Sequence, residues 1–97
     1  MYKFNIADSI VEELKNASKI ATSIPEKLTQ LSTNPIAISI HTNIPLIGEY
    51  YANAGRYCIL FDLDTQKQVI FIRKVVLSSY LHKIITGRIT PPSSWDN

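Results

Sequence analysis

The chain has 97 residues, 45% of them apolar, with 10 basic against 8 acidic side chains and a net charge of +2. That suits one small domain with one core. No apolar run approaches the roughly 20 residues of a membrane helix and no secretory leader opens the chain, so a soluble, cytoplasmic protein is expected. The single Cys58 rules out an internal disulfide, and the histidines are too scattered for a zinc site, so no metal or cofactor is expected.

In chain order, Tyr2–Ile6 alternates aromatic or aliphatic with polar residues and reads as a first strand. Ser9 and Glu12 have the spacing of a capping box, opening a helix whose apolar stripe is Ile10, Val11, Leu14, Ala17 and Ala21. Ser23 and Glu26, with Pro25 in the first turn, predict a second helix carrying Ile24, Leu28 and Leu31, which Asn34-Pro35 ends. The two form a helical hairpin packed on a sheet. Ile36–Thr42 alternates again, predicting a short edge strand before a polar loop that ends at Pro45. His41 reads as a loop or edge residue, with no carboxylate nearby in sequence to orient it as a base.

Pro45 to Tyr80 organises the chain. β-branched and aromatic residues crowd three extended runs, with reversals at Asn53-Ala54-Gly55 and Asp64–Lys67, and an antiparallel meander follows. Continuous alternation puts Tyr57, Ile59, Phe61 and Leu63 with Val69, Phe71, Arg73 and Val75 on a core face, under Ile10, Leu14 and Ala17. It leaves Cys58, Leu60, Ile70 and Ile72 as an apolar patch on the other face, to be covered by the chain's tail or by a partner. Ser78-Ser79 starts a last helix with Tyr80, Leu81, Ile84 and Ile85 on one side, and Gly87 closes it. Residues 88–97, with Pro91-Pro92 and Trp95, form an extended tail to the single domain, and Trp95 either packs back or meets a partner. From Thr65 to Thr90 there are five basic residues and no acidic one, which places any anionic partner at the C-terminal third.

The order strand, helical hairpin, meander, short helix comes with specific residues: Tyr2-Lys3-Phe4, the double-helix segment ending in Asn34-Pro35, and Leu46-x-Gly48-x-Tyr50. Gly55-Arg56-Tyr57-x-Ile59-x-Phe61, Val69-x-Phe71-Ile72 and Val75-Val76-Leu77 complete the set. Together they resemble the RelE/ParE superfamily of bacterial type II toxins across nearly the whole chain. The resemblance implies an α+β fold of this order and a small toxin silenced by a cognate antitoxin in a hetero-oligomer. One branch cleaves messenger RNA on the ribosome by activating a 2′-hydroxyl with Arg, Lys and a Tyr or His; the other poisons DNA gyrase.

Carried over by position, the ribonuclease set is incomplete. The Arg that follows the strand Tyr is replaced by Cys58, and no cation stands at Leu77–Ser79. Stabilising a pentavalent phosphate needs fixed positive charge, so any cleavage has to draw on Arg56, Lys74 or Lys83, with Tyr80 near the family's C-terminal Tyr. Arg73 shares the core-facing register and is a weaker source. Cys58 as a nucleophile needs a base such as His82 and an oxyanion hole; as a small apolar residue it needs neither. The missing arginines favour a gyrase-poisoning type, a ribonuclease with a rearranged site or an inactivated relative. A plain interaction module docking one protein through the Cys58/Leu60/Ile70/Ile72 patch is the rival from another class. A small RNA-binding domain stacking bases on Tyr50, Tyr51 and Tyr57 is a third.

Overall fold

A computed structural model of the protein describes residues 1–92. Strand β1 (Lys3–Ile6) is followed by helices α1 (Asp8–Ile20) and α2 (Ser23–Thr33), then strands β2 (Ile40–Ile44), β3 (Gly48–Ala54), β4 (Tyr57–Asp64) and β5 (Val69–Leu77), and helix α3 (Ser78–Ile85). The α+β order expected from the sequence is the one the chain adopts. The strands form one sheet in the order β1-β5-β4-β3-β2. β3, β4 and β5 are the antiparallel meander, while β1 lies parallel to β5, with Lys3 opposite Val69 and Ile6 opposite Ile72. β1 and β2 are therefore the two edges, and the helical hairpin carries the chain from one to the other across a single face.

The amphipathic stripes decide how that face is covered. Ile10, Leu14 and Ala17 of α1 and Ile24 and Leu31 of α2 are buried against Ala52, Ala54, Ile59, Phe61, Ile70, Ile72 and Val75. Phe61 is fully buried, as the alternation in β4 requires. A second cluster lies on the opposite face, where α3 folds Leu81 and Ile84 over Cys58, Leu60, Val76 and Ile47. Thr42 is buried because its hydroxyl donates to the Gly48 carbonyl and accepts from Ile44 N–H, closing the β2–β3 connection with side-chain bonds.

Several expectations are corrected. Phe61 pairs with Ile72 but Leu60 pairs with Lys74, so Arg73 is the extra residue of a β-bulge. The bulge breaks the alternation in β5. Ahead of it Ile70 and Ile72 face the helical hairpin, and Phe71 is turned to the other side, 37% exposed. Beyond it Val75 is under the hairpin and Val76 under α3. Cys58, Leu60, Ile70 and Ile72 are thus not one patch: all four are buried, two in each core. The three helix starts lack the expected side-chain caps; α1 begins at Asp8, ahead of Ser9, and Ser78 donates to the Arg56 carbonyl instead. Residues 35–38 turn, leaving β2 to begin only at Ile40. Gly87 does take the left-handed conformation after α3, at φ 76°. Ile89 packs against the α3 core, while Trp95 lies outside the described residues.

Candidate functional site

The side chains carried over as catalytic stand on different elements. Arg56 is exposed in the β3–β4 turn, and its carbonyl accepts both Ser78 N–H at 2.8 Å and the Ser78 hydroxyl at 2.9 Å. That pins the turn to the first residue of α3, the helix that also bears Tyr80 and Lys83. Tyr80 packs against the α3 core, and Lys83 is exposed in the last turn. Lys74 is engaged elsewhere: its Nζ lies 3.0 Å from Glu13 Oε1 of α1, and both side chains are about one-third exposed, at 28% and 34%. β1 pairs only with Val69–Ile72, so beyond Ile72 the edge of β5 is open and Lys74 can reach round it to the hairpin. Arg56 is tied through its carbonyl to the start of the helix that carries Tyr80 and Lys83, while Lys74 is engaged on α1.

Arg73 is committed too. Its Nη1 donates to Asp62 Oδ2 at 2.8 Å and its Nη2 to the Leu46 carbonyl at 2.9 Å. Asp62 Oδ1 accepts Glu49 N–H at 2.8 Å, and Glu49 Oε1 accepts Leu63 N–H at 3.3 Å. The guanidinium therefore fastens the β2–β3 connection to β4 and β5, a role the core-facing register assigned to it does not suggest. The bulge turns Arg73 towards Asp62, and the charge pattern of Asp62 with Arg73 is the only sequence signal of this tie.

Cys58 and His82, far apart in sequence, line one cavity of about 200 Å³ together with Tyr51, Asn53, Ser78, Leu81 and Ile85. The thiol is its buried floor, with Sγ 3.2 Å from Asn53 Oδ1. Burial pushes the thiol up to about 11, so it is protonated at neutral pH and accepts no nucleophilic role. Cys58 is thus part of a neutral wall between β3, β4 and α3. Among the described residues no cluster of three or more His, Cys, Asp or Glu side chains could hold a metal ion.

The tyrosines do not form a stacking platform. Tyr50 lies against Phe61 with ring centroids 5.8 Å apart and planes 22° apart, with His41 edge-on at 5.2 Å. Tyr50 and Tyr57 pack on the hairpin core, and Tyr51 on the α3 core. Strand alternation divides them between two faces, so the base-stacking reading loses its surface. His41 also spends its Nδ1 locally, 3.1 Å from Asn43 N and 3.0 Å from Asn43 Oδ1.

No helix among the described residues is long and apolar enough to cross a membrane. No protein-family profile and no curated protein sequence matches the chain. A likeness appears in three dimensions. The structure is similar to a chain of the crystal structure of the toxin–antitoxin complex RelBE2 from Mycobacterium tuberculosis, with a TM-score of 0.59 and 20% identity over 78% of this chain and 96% of that one. The likeness is one of fold and supports a RelE-type toxin fold for this chain.

Proposed function

We propose that this chain is the toxin of a toxin–antitoxin pair, a growth inhibitor of the bacterial cytoplasm held silent by a cognate antitoxin. The observation that carries the reading is the likeness in fold to a chain of the RelBE2 complex, which extends over 96% of that chain. Its action on the target is by binding, with poisoning of DNA gyrase as the leading mode. The charge arrangement supports this. At the family's arginine position the chain presents a protonated thiol, Lys74 is paired with Glu13, and Arg73 is held by Asp62 and Leu46. Little fixed positive charge is left to meet a phosphorane.

A variant messenger RNA cleavage is the second reading. It is favoured by the tie between the Arg56 carbonyl and Ser78, which sets the Arg56 turn beside the helix carrying Tyr80 and Lys83. A non-catalytic interaction module of the same fold is the alternative outside toxicity. Inducible expression in bacteria separates the three. Growth arrest relieved by the product of the adjacent gene is the expected result. Intact messenger RNA with loss of gyrase supercoiling supports poisoning, and fragmented messenger RNA supports cleavage. Undisturbed growth leaves only the interaction module.

A further inference from the structure

A cavity of about 410 Å³ lies where the α1–α2 junction meets the β3–β4 turn, and of the residues carried over as catalytic it takes in Arg56. Its lining is Ile20, Ala21, Thr22, Ser23, Gly55 and Arg56, which includes one cation and no acid. Lys19, also exposed, precedes Ile20 in α1. The volume falls in the range of built ligand sites, roughly 300–1,000 Å³. Two large apolar side chains are exposed at this end of the molecule: Ile20 at 70%, and Leu77, paired with Tyr57 next to Arg56, at 45%. Isolated exposed aliphatic side chains are ordinary, but Ile20 lines an open cavity together with an arginine, and that combination forms a docking surface of recognisable chemistry.

The cavity's shape depends on Gly55. Its φ of +63° is in the left-handed region, and a Cβ there would stand 2.9 Å from Ser23 Oγ. The left-handed turn thus favours glycine, a side chain there would also have to displace the Ser23 hydroxyl, and Arg56 is presented at the rim by a short turn whose carbonyl is bonded to Ser78.

We infer that this cavity is where the partner protein of the proposed toxin–antitoxin pair docks, through an acidic segment that sets a carboxylate on Arg56 and an apolar side chain between Ile20 and Ala21. The inference rests on the toxin reading and adds the location and chemistry of the contact. Arg56 is the one charged residue of the lining, Glu26 lining the neighbouring cavity instead, and its guanidinium offers a forked pair of donors that an acidic partner's carboxylate matches. The exposed isoleucine and leucine supply the apolar area that a charge pair alone lacks.

The test uses the full chain and the product of the adjacent gene, with binding measured by calorimetry. Arg56→Glu and Ile20→Asp should each weaken the complex by about tenfold or more, and rising salt should weaken the wild-type complex more than that of Arg56→Gln. Both side chains are exposed, so thermal melts of the free variants should match the wild type. Lys67→Glu, at the opposite end of the meander, serves as the control and should bind as the wild type does. A wild-type complex that both variants preserve within twofold would overturn the docking site and leave the toxin reading standing. Absence of any wild-type complex, together with undisturbed growth on expression, would remove the reading and the inference together.

Discussion

Cys58 shows how one side chain redirects the chemistry of a site. The chain has a thiol under α3, 3.2 Å from Asn53 Oδ1 and pushed up from an ordinary 9.0 to about 11. The linkage to stability follows with a definite sign. Between those two values the unfolded chain has lost the proton that the folded chain still holds, so stability present below pH 9.0 is lost as the pH rises towards about 11. Urea melts across that window should show a decline in the wild type that is shallower in Cys58→Ala. Equal slopes would mean that the thiol is not desolvated. For the same reason Cys58→Ser should leave any toxicity nearly unchanged, since a protonated thiol contributes neither charge nor nucleophile.

At the scale of elements, β5 is where sequence and structure part. The meander itself is legible because its reversals are written in residues that favour turns, Asn53-Ala54-Gly55 and Asp64–Lys67, and because β4 alternates without interruption. β5 alternates as well, but in two halves out of phase. Read from Val75 backwards, the pattern puts Phe71 inside and Ile72 outside; the bulge at Arg73 reverses both. No propensity marks the bulge, since Arg73 is an ordinary strand residue, and only its pairing with Asp62 on the Leu60 face hints that it has changed side. The caps depart from their sequence spacing for a related reason. Ser9, Ser23 and Ser78 have cap-like spacing, but their helices begin where the hairpin and the β5–α3 connection place them. The register has a sharp test in adjacent residues. Ile72→Asp buries an unpaired charge in the hairpin core and should cost about 3–5 kcal/mol or more, enough to unfold most of a domain of this size. Phe71→Asp, on the exposed side, should stay within about 1 kcal/mol. Thermal melts showing the opposite order would restore the uninterrupted alternation, and Phe61→Ala should cost roughly 3–5 kcal/mol under either register.

The whole molecule is one sheet with a core on each face, and the two are unequal. The hairpin core engages two helices, with Ile10, Leu14, Ala17, Ile24 and Leu31 seated on four of the five strands. The α3 core rests on a single short helix, whose buried contribution is Leu81 and Ile84. Composition and periodicity foretold both sets of elements. What they left open was that α3, with Ile89 after it, would cover the second face, and that β1 would add in parallel beside β5, because both depend on contacts between the ends of the chain.

The imbalance has a dynamic consequence that the chain reports on itself. A face held by one short helix should open locally at less cost than global unfolding. Cys58 lies directly beneath α3, 1% exposed, so a thiol reagent reaches it only when α3 lifts or the whole domain unfolds. Leu81→Ala removes packing from α3, by about 2–5 kcal/mol if the site does not collapse, and should speed Cys58 labelling under native conditions by roughly 30-fold or more. Leu14→Ala removes packing from the hairpin core instead. It should lower global stability comparably and speed labelling far less, because the path to Cys58 is still closed by α3. Equal acceleration in the two variants at matched global stability would show that the thiol is uncovered only when everything unfolds, and that the two cores form one cooperative unit.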